Sequence, residues 1–481
     1  MSSNLENSFK RIDNILRNDG VGSHSDYIEQ ISWMLFLKYL EDLETRRSVD
    51  AELNGDKYTP ILKEEFRWNT WASPRNGDGK KDITATLVGK DLVEFVNDEL
   101  FPYLREFKTT SENTKTISYK IGEIFSDLKN KIQNGSTLRE ALDIIDELEF
   151  KTQDQLDDLS HLFEERLKLL GGAGRSGEYY TPRPLIKTII KVLDPEPGKT
   201  IYDGAAGTAG FLTESFEYIK KKKLSVKELK FLKEEAFTGK NKAAQPYLLG
   251  TMNMILHGIE APNMIHTDTL VEDTADIQEK DRFDYILANP PFGGGMRKEV
   301  RRNFQIDSGE TAYLFLQHFL KRLRAGGQAA IVIKNTFLSN GDASALRKEL
   351  LESCDLHTVL DLPAGTFSAN SSTGVKTVVL FFEKGKPTKK TWFYQLDPGR
   401  NLGKADPLNE KDFAEFEQLY KKKADSQNSW TVDVAGLDQK TFDLSVKNHN
   451  VVEEAPLRSP AEIIKSLAQL DTQAQQILKK L

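Results

Sequence analysis

Asn289-Pro290-Pro291-Phe292 is the stretch of this 481-residue sequence whose residue types and order fit a recognisable chemistry. An amino group conjugated with a ring or a carbonyl is a poor nucleophile, because its lone pair is delocalised. An asparagine side-chain oxygen and the carbonyl of Pro290 can each accept one of its two N–H bonds. The nitrogen is then held near tetrahedral, with its lone pair aimed at an electrophilic methyl group. The ring of Phe292 can stack on a planar substrate. No strong base is needed, since the proton can leave after the methyl arrives. The fitting reaction is methyl transfer to such an amine. A proline turn closing a strand, with Phe292 as core, is the alternative.

The motif follows Phe283-Asp284-Tyr285-Ile286-Leu287-Ala288, an apolar run with the length of a buried strand. Two prolines cannot continue that strand, so Asn289 falls at its carboxyl end, where open α/β sheets bind ligands. Upstream, Thr200-Ile201-Tyr202-Asp203 reads as a strand that Gly204-Ala205-Ala206-Gly207-Thr208-Ala209-Gly210 turns into a helix. Glycines there let a ligand approach the backbone beside a helix N-terminus. Further strands are expected at 236–239, 263–267, 328–333 and 375–382, with helices over 246–257 and 311–325. Such alternation predicts a mainly parallel, doubly wound sheet. If the first and fourth strands are neighbours at its switch point, the glycine turn and Asn289 face one crevice.

Around this core, helical spacing marks Phe9–Leu16 and Tyr27–Leu43, and helices are also expected over 90–104, 116–130, 137–147 and 156–170. Residues 1–150 carry no catalytic constellation, which leaves DNA clamping or subunit contact as their role. Thr181 and Pro182 open a helix over 184–193, and the segment from Gly177 to Pro182 either covers a cofactor or only caps that helix. Arg297, Lys298, Arg301 and Arg302 directly follow the proline motif; they are candidates for DNA phosphate contacts, with a solvated loop as the alternative. At the end, Ile463, Leu467, Leu470, Ala474, Ile477 and Leu481 form an a/d seam suited to docking a partner helix.

Composition limits the function classes. The single cysteine, Cys354, excludes an intramolecular disulfide and a thiolate zinc cluster, and no metal site is expected. No apolar run reaches membrane-spanning length and Met1–Lys10 is polar, so no membrane association and a cytoplasmic location are expected. A net charge of −7 is unusual for a protein that grips DNA alone, so a partner is expected to supply part of that grip.

Taken together and in this order, the motifs resemble those of the modification (M) subunit of type I restriction–modification systems, an adenine-specific DNA methyltransferase. The match runs from the helical start through Gly177–Pro182, Asp203–Leu212, Asp268, Asn289–Phe292, Leu362–Phe382 and Phe442-Asp443-Leu444 to the tail. It implies a helical N-terminal domain (1–165), a Rossmann-like methyltransferase domain (166–400) and a C-terminal tail with a docking helix (401–481). It also implies S-adenosylmethionine as methyl donor, held by Tyr179, Thr181, Asp203, Gly207, Thr208, Gly210, Asn241, Asp268 and Asn289. The acceptor would be an adenine flipped out of DNA, meeting Asn289, Pro290, Pro291 and Phe292, with Phe367 as a second stacking ring. Implied partners are DNA, a specificity subunit reached through the C-terminal helix and N-terminal domain, a second modification subunit and a restriction (endonuclease/translocase) subunit. A non-catalytic scaffold and a protein-glutamine methyltransferase are the competing readings.

Two places depart from the family pattern. Gly204, Ala206 and Ala209 replace a proline, a cysteine and a glycine in the first motif, and Asn241 stands where a ribose-binding glutamate is usual. If both departures weaken the cofactor site, Ala209→Gly with Asn241→Glu should tighten it.

Overall fold

The computed structural model describes residues 2–114, 116–148, 150, 152–170, 181–259, 262–367, 375–403, 405–450 and 460–478. Its strands are β1 (Ile201–Asp203), β2 (Phe237–Asn241), β3 (Asn263–His266), β4 (Phe283–Ala288), β5 (Leu323–Lys334), β6 (Cys354–Asp361), β7 (Thr377–Lys384), β8 (Lys390–Gln395) and β9 (Ser429–Asp433). All nine join one sheet in the order β3-β2-β1-β4-β5-β7-β6-β8-β9. The half from β3 to β5 is parallel, whereas β7 runs antiparallel to both β5 and β6. Strands covered on both faces need apolar side chains on both, and β4 and β7 at the centre of the sheet are correspondingly buried through most of their length.

The order reverses at β1, which pairs β2 on one side and β4 on the other. Ile201 lies opposite Tyr285 and Tyr202 opposite Ile286, so β1 and β4 end side by side. The Gly204–Gly210 turn and Asn289 therefore leave the sheet at the same edge, as the switch-point condition requires.

Ahead of the sheet, the long helices Ser2–Asn18 and His24–Asn54 and the helices up to Asp146 build a separate core, in which Trp68 and Trp71 are buried. That core is completed from the sheet side. The helix Ala244–Leu256 is apolar all round, and its Leu248, Leu249, Met252, Ile255 and Leu256 pack into the helical cluster. Helix Gln153–Leu170 bridges the two parts: Arg166 pairs with Asp13 on one side and Glu164 with Arg183 on the other. The helix runs across position 165, and Glu164 and Arg166, two residues apart on it, have partners in different parts of the chain.

Beyond the sheet, Arg347 is fully buried and donates to the carbonyls of Phe337 (2.7 Å), Thr441 (2.6 Å) and Phe442 (2.8 Å). It thereby fastens Phe442-Asp443-Leu444 against the sheet. The helix Pro460–Leu478 exposes Ile463, Ile464, Leu467 and Leu470. Leu481, the last position of the expected seam, lies outside the described residues. Among the described residues no helix is long and apolar enough to cross a membrane.

Candidate active site

At the carboxyl end of β4, Asn289 projects between two cavities of about 370 and about 800 Å3, both of which it lines. Its Nδ2 donates to Thr181 Oγ1 at 3.0 Å, which sets the direction of the amide. Its Oδ1 is buried and has no hydrogen-bond partner among the described residues. A buried acceptor left open costs about 1–3 kcal/mol, so such an atom is a place where a donor from outside fits. The side chain that sequence places at the reacting amine is thus an aimed, unsatisfied acceptor.

Phe292 is half-buried and meets Phe367, from the loop after β6, edge to face with centroids 5.8 Å apart and planes at 80°. The two candidate stacking rings are thus in contact, and Phe367 is the more deeply buried of them. The next turn of chain is tied down: Gly293 and Gly294 take φ of 91° and 98°, and the Gly294 carbonyl accepts from Thr311 Oγ1 at 2.7 Å. Arg297, Lys298 and Arg302 are exposed just beyond, on and beside the short helix Lys298–Arg301. Arg301 is instead engaged with both carboxylate oxygens of Asp307 at 2.5 Å.

The glycine-rich turn is held from three directions. Thr269 Oγ1 donates to the Gly204 carbonyl at 2.6 Å, and Asn253 Nδ2 donates to the Thr208 carbonyl at 2.9 Å. Asn241 takes both sides of one peptide position: its Oδ1 accepts from Gly207 N and its Nδ2 donates to Gly207 O, each at 2.8 Å. Gly207 (φ 54°) and Ala209 (φ 64°) have left-handed backbones. At Ala209 this costs about 1 kcal/mol or more that glycine would not incur. The alanine methyl is buried in the core of the sheet.

Asp203 closes the floor of the smaller cavity. It accepts from Ala205 N at 2.9 Å, and burial pushes its carboxyl up to about 7. Asp268, after β3, lines the larger cavity; it accepts from Leu270 N at 3.1 Å and pairs with Lys242 at 2.7 Å. Thr208 and Gly210 border the smaller cavity. Tyr179 lies outside the described residues. No group of three or more histidine, cysteine or acidic residues able to hold a metal occurs among the described residues.

Three supporting residues went unread in the sequence. Arg183 donates to the Gly210 carbonyl at 2.8 Å and lines the smaller cavity; its position between two prolines was the available signal. Asn253 is a lone asparagine in an apolar helix, which was likewise a signal. Thr269 had none.

Residues 154–456 match the family of N-6 DNA methylases, and residues 5–145 match the HsdM N-terminal domain. The chain is 33% identical over 488 residues to the type I restriction enzyme EcoEI methylase subunit of Escherichia coli, covering 98% of this chain and 95% of that protein. It is 29% identical to the EcoKI methylase subunit of Escherichia coli K12, covering 86% of this chain and 75% of that one. Among solved structures, a modification subunit assigned to a type I restriction enzyme of Vibrio vulnificus YJ016 superposes with a TM-score of 0.83 at 31% identity, covering 94% of this chain and 97% of that one. A chain from a structure of type I R-M complex assembly and conformational transition gives 0.78 at 32% identity, covering 99% and 97%.

Proposed function

The chain belongs to the N-6 DNA methylases, among the methylase subunits of type I restriction enzymes, and from that premise we propose how its own residues perform the transfer. It is an adenine-specific DNA methyltransferase. The comparisons support this reading and give none to the scaffold or glutamine alternatives.

The observation that carries the assignment of roles is the open Oδ1 of Asn289. We assign it to one N–H of the adenine 6-amino group, and the Pro290 carbonyl to the other. Thr181 keeps the amide from turning its nitrogen toward the base. Phe292 supplies the stacking face and Phe367 holds that ring in place. S-adenosylmethionine, when bound, supplies an electrophilic methyl group. The residues present fit it: a glycine-rich turn whose carbonyls are held back by side chains, and the larger cavity beside that turn, which reaches Asn289. Asp203, Thr208 and Gly210 would line one part of that site, and Asp268 another.

Exposed Arg297, Lys298 and Arg302 beside the motif are assigned to DNA phosphates; Arg301 fits this less well because Asp307 holds it. The exposed apolar face of Pro460–Leu478 is assigned, with the N-terminal domain, to a specificity subunit. A second copy of this chain and a restriction subunit complete the complex, and its place is the cytoplasm. Incorporation of labelled methyl into DNA by the purified chain with a specificity subunit tests the reading. Label in adenine supports it; label in protein, or none, contradicts it.

A further inference from the structure

In the family this chain resembles, the residue at the end of β2 is a glutamate that meets the cofactor ribose; here it is Asn241, which borders the larger cavity but has both polar atoms of its amide turned to Gly207. Both polar atoms are taken by Gly207, one as acceptor and one as donor, at 2.8 Å each. The side chain is 6% exposed. The pairing extends a tether that the backbone begins, because Ala206 N donates to the Lys240 carbonyl at 3.1 Å. Gly207 sits in the left-handed region and needs such fixing, since a glycine there has the most freedom to lose. Packing on the far side is close: a Cβ on Gly250 would lie 2.8 Å from the Gly207 carbonyl oxygen. The turn is thus pressed between helix Ala244–Leu256 and the end of β2.

We propose that Asn241 is a positioning residue: it holds the peptide position of Gly207, and through it the turn that faces the cofactor, and it is not a ribose acceptor. The inference rests on the reading of this crevice as the S-adenosylmethionine site. It reverses the expectation for Asn241→Glu. A glutamate is one methylene too long for a buried place, and its carboxylate has no donor for the Gly207 carbonyl, so it loosens the turn.

The discriminating variant is Asn241→Asp. A protonated carboxyl has one donor and one acceptor, like the amide it replaces, and restores both bonds to Gly207. The carboxylate has no donor and sets a charged oxygen against the Gly207 carbonyl. Burial and that oxygen favour the protonated form, so the variant's function is present at low pH and lost as pH rises. A ribose acceptor behaves oppositely, since the carboxylate is the better acceptor. The titratable and charged groups on adjoining elements are Lys240 and Lys242 on and after β2, Asp203 at the end of β1, His266 opposite Asn241 on β3 and Asp268 after it; helix Ala244–Leu256 carries no charged side chain. All of them remain in the parent, so the variant-to-parent ratio removes their effect.

The experiment is calorimetric binding of S-adenosylmethionine to the full chain, parent and variants, from about pH 6 to about pH 8.5, with melting of each unloaded protein across the same range. Asn241→Asp is expected to bind within a few-fold of the parent at the acid end and about tenfold or more weaker at the alkaline end. Its melting temperature should fall relative to the parent's in the same direction, and Asn241→Glu should bind more weakly throughout. A binding ratio that is flat or rises with pH, a melting profile parallel to the parent's, or tighter binding by Asn241→Glu would each overturn the proposal. No binding by the parent at any pH would overturn the reading of the crevice, and the melting comparison would still decide the link between Asn241 and Gly207.

Discussion

The two sides of the crevice treat their polar groups in opposite ways. On the side of β1 and β2 the carbonyls of Gly204, Gly207 and Thr208 are each held by a side chain, from Thr269, Asn241 and Asn253. On the side of β4, Asn289 is pinned through its nitrogen and its oxygen is left open. Asn241 has both amide atoms satisfied, whereas Asn289 keeps an open oxygen beside two cavities; Asn253 Oδ1 is also without a partner among the described residues, but it lies deep in the core. A satisfied amide contributes stability, whereas an open one costs stability that a bound substrate recovers. The contrast predicts that asparagine substitutions a few ångströms apart will sort cleanly into effects on folding and effects on chemistry.

The largest effect on stability is expected at Asp203, which breaks the pattern because it is a buried carboxyl on the satisfied side. Its folded pKa is raised to about 7 by burial, above the usual value. A raised carboxyl contributes stability that is fully present below the unfolded pKa of about 4 and lost as pH rises through about 7. Asp203→Asn keeps an acceptor for Ala205 N and removes this loss. Urea unfolding should therefore show the parent losing on the order of 3 kcal/mol relative to the variant between about pH 4 and about pH 8. Parallel profiles would mean that Asp203 is ionised and paired.

Next comes Asn253→Leu, which leaves the Thr208 carbonyl without its donor inside the core. It should destabilise by about 1–3 kcal/mol. A variant as stable as the parent would show that the turn does not need to be held. Ala209→Gly should act in the opposite direction, because the left-handed backbone at φ 64° suits glycine. A stabilisation of about 1 kcal/mol or less is expected, with the gain in strain partly offset by a more flexible unfolded chain. The smallest change in folding is expected from Thr181→Val, which frees the Asn289 amide to rotate. Its melting temperature should hardly move, while methyl transfer falls about tenfold through loss of orientation.

Much of this contrast was legible in the sequence, though unevenly. Strands β1 to β5 and β7 follow apolar runs bounded by glycine, proline or charge, and the neighbouring ends of β1 and β4 follow from the alternation of strands and helices. Strand β6 was not readable: Cys354-Asp355-Leu356-His357 mixes polar residues into a run that starts directly at a helix end. The short strands β8 and β9, which finish one side of the sheet, lie in a segment rich in lysine and carry no local mark. At the site, the motif exposed Asn289 and Phe292 because prolines force the chain out of the sheet there. The duty of Asn241 was hidden, because it depends on the parallel register that places Asp203 opposite Gly239 and so brings Gly207 to the end of β2. A local pattern identifies a side chain; only tertiary pairing says which way its hydrogen bonds are spent.

The account turns on the open oxygen of Asn289, and one paired measurement on Asn289→Ala tests it. The variant is assembled with its specificity subunit, labelled-methyl incorporation into DNA is followed in a single turnover, and the melting temperature of the chain is taken alongside. Methyl transfer should fall by a factor on the order of 10²–10³, as when one preorganised hydrogen-bonding group is removed from a site. The melting temperature should hardly change, because the lost oxygen has no partner among the described residues and the part-buried Thr181 hydroxyl, which loses the amide donor, can turn to water. Undiminished methyl transfer, or a loss of activity that merely tracks a loss of folding, would contradict it.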